Sequence, residues 1–261
     1  MLRAFSTAAT GMSAQQMMVD VTANNLANIN TNGFKRSQID FQDLLYVKLR
    51  EAGTEIASGI KSPSGIEIGS GVRAGATEKI FTSGELVNTG KPLDIAISGE
   101  GFLQVTMPDG KTKYTRDGAL QTNSIGQLVT TTGYQLEPAI TIPQDATNVT
   151  IAPDGGVNVT TPSGTSTVGT IQLVRFINPQ GLASDGDNLL SETEASGTPI
   201  SGTAGMDGFG KIQSTFLEKS NVQMVTELVN LITAQRAYEV NSRTIKAGDD
   251  MLRNSIQIAG V

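Results

Sequence analysis

The sequence predicts an α+β chain: a heptad helix at each end brackets an extended connector and a central antiparallel β domain. Three observations carry that reading. Near the start, Phe5, Met12, Val19 and Leu26 recur every seven positions. Near the end, Leu217, Met224, Leu231, Tyr238, Ile245 and Leu252 repeat at the same interval. Between them no helical period survives, and short apolar runs alternate with Gly-, Asn- and Asp-containing turns.

The first element spans residues 1–33. Leu2 and Ile29 extend its apolar seam, while Gln15, Gln16 and Thr22 keep the stripe narrow and Gly11 weakens it, so the helix is marginal alone. Asn28 to Gly33, with Thr31 among them, supplies turn formers and a residue that tolerates the left-handed conformation where the helix should stop. Residues 34–95 read as a connector. It holds an apolar patch at Phe41, Leu44, Leu45 and Tyr46, then a Gly/Ser/Pro-rich run from Gly53 to Gly75.

Residues 96–212 read as the β domain. Strand pairs are expected at Phe102–Met107 with Lys111–Thr115, Ala119–Thr122 with Gln127–Thr131, and Val149–Ala152 with Val157–Thr161, each pair joined by a turn that accepts positive φ. A further strand is expected at Thr170–Ile177, and Asn178 to Gly210 reads mostly as turn and loop. Residues 213–261 form the last element, a helix expected from about Ser214 to Ile258, roughly 65 Å long. Val225, Leu228, Ile232 and Ile256 widen its seam, and Gly248 loosens the last turns.

Composition excludes most chemistry. The 261 residues include no Cys, His or Trp, which removes disulfides, Cys/His metal centres and imidazole catalysis. With 19 Lys and Arg against 25 Asp and Glu the net charge is −6, the wrong sign for nucleic acid or an anionic membrane surface. No run approaches the ~20 apolar residues of a membrane span. The small-residue stretch Ala4–Ala14 is interrupted by Ser6, Thr7, Thr10, Gly11 and Ser13, so no cleaved secretory signal is expected.

Motifs that hint at a site fail on context. Gly69-Ser70-Gly71-Val72-Arg73-Ala74 fits a dinucleotide fingerprint in letters but lacks the following helix. Asp185-Gly186-Asp187-Asn188 has no bidentate Glu at cation-loop spacing and reads as a polar turn. The carboxylate pairs Glu192/Glu194 and Asp249/Asp250 read as solvated charges, and the sequons at Asn148 and Asn158 as chance in a Thr-rich stretch. No catalytic residue, metal or cofactor is expected.

Charge supplies the positive clue. Only Arg3 and Asp20 are charged among the first 33 residues, where average composition gives about eight. Two paired helices bury one stripe each, so the uncharged remainder calls for neighbours, and further copies of the chain are the natural source. A β-rich extracellular binding module with locally associating helices is the alternative; it explains the Gly/Thr-rich middle but not the uncharged first helix.

Several blocks then resemble the bacterial flagellar basal-body rod and hook family. They are Ala23-Asn24-Asn25-Leu26-Ala27-Asn28, Thr31-Asn32-Gly33-Phe34-Lys35, Ser98 to Val105, Tyr114-Thr115-Arg116-Asp117-Gly118, Glu227 to Asn230, and Gln235-Arg236-Ala237-Tyr238-Glu239-Val240-Asn241-Ser242. The segment Phe41 to Tyr46, followed by Gly69 to Val72, is similar to the long extension of the distal-rod branch, with proximal-rod and hook members as the neighbouring possibilities. The resemblance implies terminal helices packed with those of other subunits around an export channel and a β domain outside. It also implies a helical homopolymer that transmits torque, contacts to other rod proteins, the hook protein and surrounding ring proteins, a place from periplasm to outer membrane, and export by the flagellar type III apparatus.

Overall fold

The structure, a computed structural model, describes residues 2–53, 55–57, 60, 61 and 63–259. The chain divides into two compact units. Residues 1–26, 37–78 and 224–261 form the first, and residues 27–36 and 79–223 the second.

The first unit contains the helices α1 (Leu2–Ala27) and α2 (Met224–Ala259) and the strands β1 (Ser37–Asp43), β2 (Val47–Arg50), β3 (Glu55–Ala57), β4 (Ile60–Lys61), β5 (Ile66–Ile68) and β6 (Val72–Lys79, its last residue in the second unit). The strands pair in nested order, β1 with β6, β2 with β5 and β3 with β4, which makes a long two-stranded ribbon. Leu44 N–H donates to the Gly71 carbonyl at 2.9 Å and Ser70 Oγ to the Leu45 carbonyl at 2.7 Å, carrying the ladder across the gap between the first two pairs. The helices run antiparallel: Phe5 lies against Gly248 and Gly11 against Asn241, so early residues of α1 meet late residues of α2.

The second unit is all β apart from a single turn of 3₁₀-helix at Pro179–Gly181. In chain order its strands are β7 (Leu86–Asn88), β8 (Ile95–Ser98), β9 (Phe102–Thr106), β10 (Thr112–Thr115), β11 (Leu120–Thr122), β12 (Leu128–Thr130), β13 (Gln135–Glu137), β14 (Asn148–Ile151), β15 (Gly156–Thr161), β16 (Gly164–Thr170), β17 (Gln172–Arg175), β18 (Ala183–Gly186), β19 (Leu189–Ser191), β20 (Ile200–Thr203), β21 (Lys211–Ser214) and β22 (Phe216–Glu218). Nine of them form one sheet in the order β11-β12-β13-β9-β10-β19-β18, with β17 joining β9 to β20. A three-stranded sheet β14-β15-β16 and the pairs β8–β21 and β7–β22 complete the unit.

Inward-facing residues of these sheets, among them Ile97, Leu103, Val105, Leu128, Val157 and Leu173, form one continuous core. A second cluster is aromatic. Tyr114 meets Phe176 edge-on at 4.8 Å between ring centres, and Phe81 meets Phe102 at 5.3 Å, the T-shaped geometry that ring quadrupoles favour.

Several expected boundaries shift. The last helix begins at Met224 rather than near Ser214, so it is 36 residues and about 54 Å long at 1.5 Å per residue. Leu217 is not helical; it lies in β22 opposite Val87. Its place in the heptad count is a coincidence of spacing, because β21 and β22 find strand partners in β8 and β7. Ile29 sits in the turn after α1, and residues 27–36 belong with the β unit rather than with the first helix. The expected connector is divided: its first part is the ribbon and its last part supplies β7 and the start of β8. The loop expected from Asn178 to Gly210 contains β18, β19 and β20. The expected hairpins at Phe102–Thr115, Ala119–Thr131 and Val149–Thr161 are present with ends shifted by a residue or so.

Candidate assembly faces and a buried charge cluster

In the first unit the buried helix residues are small or polar. Ala8, Ala14, Thr22 and Asn25 are buried on α1, and Glu227 and Ala234 on α2. Glu227, Ala234, Asn241 and Gly248 are themselves seven apart, a heptad displaced by three positions from the apolar one. The two helix glycines each leave room for a side chain of the facing helix. A Cβ built on Gly11 would stand 2.9 Å from Asn241 Nδ2, and one on Gly248 would stand 2.7 Å from the Phe5 ring.

The apolar seam is only partly covered: Phe5 lies against Gly248, and Val19 and Tyr238 line one cavity with Gln16, Gln235 and Glu239. Phe5, Met12, Val19 and Leu26 on α1, and Leu231, Ile245 and Leu252 on α2, are half-buried, while Met224, Leu228 and Tyr238 are exposed. The side chain of Leu2 lies outside the described residues. Val225, Val229, Ile232 and Val240 add a second exposed apolar stripe at helical spacing on α2, and Val225 is 75% exposed. Fully burying each such side chain is worth about 1.5–3 kcal/mol. On a chain by itself that free energy is unrealised.

The ribbon is similarly unfinished. Leu45 is 89% exposed, and Phe41, Tyr46, Leu49, Ile66 and Ile68 are exposed with it, whereas Leu44 is half-buried. At the start of the ribbon the backbone of Ser37 is bracketed by Asn25, whose Nδ2 donates to the Ser37 carbonyl at 2.8 Å and whose Oδ1 accepts the Ser37 N–H at 2.9 Å. That two-sided contact explains a buried asparagine in a helix: each polar atom has a partner.

In the second unit, burial and charge coincide. Glu218 is 1% exposed. Its Oε1 accepts from Lys35 Nζ at 2.5 Å and from the Gly84 N–H at 2.8 Å, and its Oε2 accepts from Arg116 Nε at 3.0 Å and Nη2 at 2.9 Å. Arg116 spends its other donors on the carbonyls of Ile97, Gly99 and Gly101, and Lys35 donates to the Thr82 carbonyl. Burial works to raise the Glu218 carboxyl, but the Arg116 guanidinium, then Lys35 and the Gly84 N–H, hold it below the ordinary carboxylate range. Burial, then Arg116, pulls the Lys35 ammonium down from its ordinary value, with Glu218 opposing.

Backbone and amide bonds close the same corner. Gly33 N–H donates to the Glu218 carbonyl at 2.8 Å, Arg36 N–H to Asn221 Oδ1 at 2.8 Å, and Asn221 Nδ2 to the Ile80 carbonyl at 2.8 Å. Gly33 has φ +69° and a Cβ there would fall 2.7 Å from the backbone of Arg116 and Asp117, so both conformation and space demand glycine. Phe34 is buried beside it under Lys79, whose Nζ is 5.6 Å from the ring centre. Thr31 Oγ1 bonds Asn28 Oδ1 at 3.2 Å within the preceding turn.

Three families match this chain: the flagella basal body rod protein family over residues 5–35, the flagellar hook protein FlgE/F/G D1 domain over 96–159, and the flagellar basal body rod FlgEFG protein C-terminal family over 213–258. The flagellar basal-body rod protein FlgG of Caulobacter vibrioides is 46% identical over 260 residues, 98% of this chain and 99% of its own. The protein of the same name from Buchnera aphidicola of Acyrthosiphon pisum is 46% identical over 95% of this chain and 96% of its own, and that of Bacillus subtilis 35% over 99% of both. The chain belongs to the flagellar basal-body rod protein family. Its function is that of a structural subunit of the basal-body rod.

In this rod-family chain the three matched segments contribute one charge each to the buried cluster: Lys35 from the first, Arg116 from the second and Glu218 from the third. The remaining resemblance residues divide by place. Asn24, Gln235 and Arg236 are exposed, and Asn28, Ala237 and Asn241 are half-buried. Sequence reasoning missed Glu218 because the heptad assigned its neighbour Leu217 to a helix, and no apolar alternation in Lys211 to Glu218 marks the two short strands there. Among the described residues no group of His, Cys, Asp or Glu could hold a metal ion, and no helix is long and apolar enough to cross a membrane.

Proposed function

We propose that this chain polymerises with copies of itself into a hollow helical distal rod, the drive shaft that carries torque from the motor to the hook and encloses the export channel. The exposed apolar stripes of α2 carry the proposal: a helix that leaves Val225, Val229, Ile232 and Val240 in water is finished by neighbouring subunits. Helices α1 and α2 form the inner packing, with Met224, Leu228 and Tyr238 buried between subunits. A head-to-tail contact that does not close generates a filament rather than a ring, as a shaft requires.

Other rod proteins and the hook protein adjoin the ends, ring proteins surround it as a bushing, and the rod runs from periplasm to outer membrane. The chain leaves the cell through the flagellar type III apparatus without loss of a signal peptide, and it has no catalytic role. The ribbon stiffens the shaft by bridging adjacent subunits, a role supported by its exposed Leu45, Tyr46 and Leu49. Removing residues Met1 to Asn30 should abolish filament formation by the purified chain, as seen by electron microscopy. Filaments formed without them would sink the proposal and favour a self-contained binding module. Deleting Leu45 to Ile68 should leave filaments that are visibly more curved.

A further inference from the structure

The buried charge cluster has a consequence for how the β unit closes. Lys35 and Glu218 are 183 residues apart in the chain, and Arg116 and Glu218 are 102 apart. Until Glu218 arrives, Lys35 and Arg116 are two cations that repel each other, and burying either without its carboxylate carries a heavy desolvation cost. The strands tell the same story. β7 and β8, early in the unit, have β22 and β21 at its end as their strand partners; before those arrive β8 has the Ile95 N–H bond to the Gly118 carbonyl, the Arg116 bond to the Ile97 carbonyl and, next to it, the bridge of Asp94 to Ala119. The segments 33–36 and 80–85 bond each other through Ile80 N–H to the Arg36 carbonyl and Lys35 Nζ to the Thr82 carbonyl, and both are then tied to Glu218, Lys219 and Asn221.

By contrast, the nine-stranded sheet uses only residues between Phe102 and Thr203. It can be laid down in order as the chain appears.

We propose that Glu218 is a late latch: in a chain delivered amino end first, residues 31–36, β7, β8 and Arg116 stay open until residues 211–222 have emerged, and the Glu218 carboxylate then closes the unit by neutralising Lys35 and Arg116 together. The device delays completion of the β unit until little more than α2 is still to come. It applies to synthesis on the ribosome as well as to any export route, so it stands apart from the rod proposal.

The test uses the chain stalled on the ribosome at two lengths, with either Gly205 or Asn230 as the last residue outside, and reads tryptic cleavage after Lys35 and Arg116 by mass spectrometry. Cleavage after both should be rapid at the Gly205 stage and about a hundredfold slower at the Asn230 stage, because cleavage follows the open population and an unpaired buried charge raises that population by about this factor or more. Equal protection at the two stages overturns the latch. At the Asn230 stage Glu218→Gln should restore rapid cleavage, while Val105→Ala, a core cavity remote from the charges, should keep the step between stages. Glu218→Gln as protected as the native chain, or Val105→Ala erasing the step equally, would show that the carboxylate is not what closes the unit.

Discussion

The two units treat their large apolar side chains in opposite ways. The β unit buries Leu103, Val105 and Leu128 completely, and four charged residues with them, Lys35, Asp94, Arg116 and Glu218, each supplied with partners. The helical unit buries alanine, threonine and asparagine and leaves valine, isoleucine and methionine in water. The difference teaches that self-sufficiency is local. One part of this chain buries its large apolar side chains within itself, and the other leaves many of them exposed.

Breaking the charge cluster should produce the largest effect. Glu218→Ala leaves Lys35 and Arg116 buried without a carboxylate and should cost the β unit about 3–5 kcal/mol in urea unfolding. Leu103→Ala should follow at about 2–5 kcal/mol from lost burial and a cavity in a site that is fully enclosed. In the helical unit the sensitive change runs the other way: Ala234→Leu overfills the buried contact and should cost about 1–3 kcal/mol, read as loss of helical circular dichroism on heating. Leu228→Ala should change the stability of the free chain by no more than about 0.5 kcal/mol while weakening filament formation. Should Leu228→Ala prove as destabilising to the free chain as Leu103→Ala, the contrast between the units fails.

Acidity sharpens the same comparison. The Glu218 carboxyl is held below its ordinary value of 4.5 in the folded chain, so as pH falls past 4.5 the unfolded chain takes up its proton first. The stabilisation from Glu218 is complete above that pH and drains away as pH drops through the lowered folded value. At the alkaline end, burial and then the Glu192 carboxylate push the Tyr114 phenol up from 10.0 to about 12. The folded chain therefore holds that proton longer, and its contribution is present below pH 10 and lost as pH rises toward 12. A urea midpoint measured across pH should fall at the acid end in the native chain. At the alkaline end the loss from Tyr114 is opposed by the lowered Lys35 and Lys79, so that Tyr114→Phe should raise the midpoint there relative to the native chain. With Glu218→Gln the acid limb should flatten and the Tyr114→Phe difference at the alkaline end should remain.

Much of this was legible beforehand, for identifiable reasons. The hairpins around Asp109-Gly110, Asn123 to Gly126 and Asp154-Gly155 announce themselves because turn chemistry is local, and positive φ at Gly110, Gly126 and Gly155 is where such residues place it. Both helices follow from period. The phase of their contact does not, because a seven-residue repeat of large apolar residues and one of small residues coexist in α2 and only packing distance chooses between them. Leu217 shows the limit most sharply: spacing put it on a helix, and pairing with Val87, 130 positions away, made it a strand. The charge cluster was visible as separate words, in Thr31 to Lys35 and Tyr114 to Gly118. Nothing local reveals that they meet at Glu218.

The division of the chain has a last mechanical consequence. Between the helical and β units the backbone crosses four times, at 26/27, 36/37, 78/79 and 223/224. A single proteolytic nick at any one crossing leaves the halves joined by the other three covalent strands. Exchanging the β unit for a different module would likewise require four matched splices.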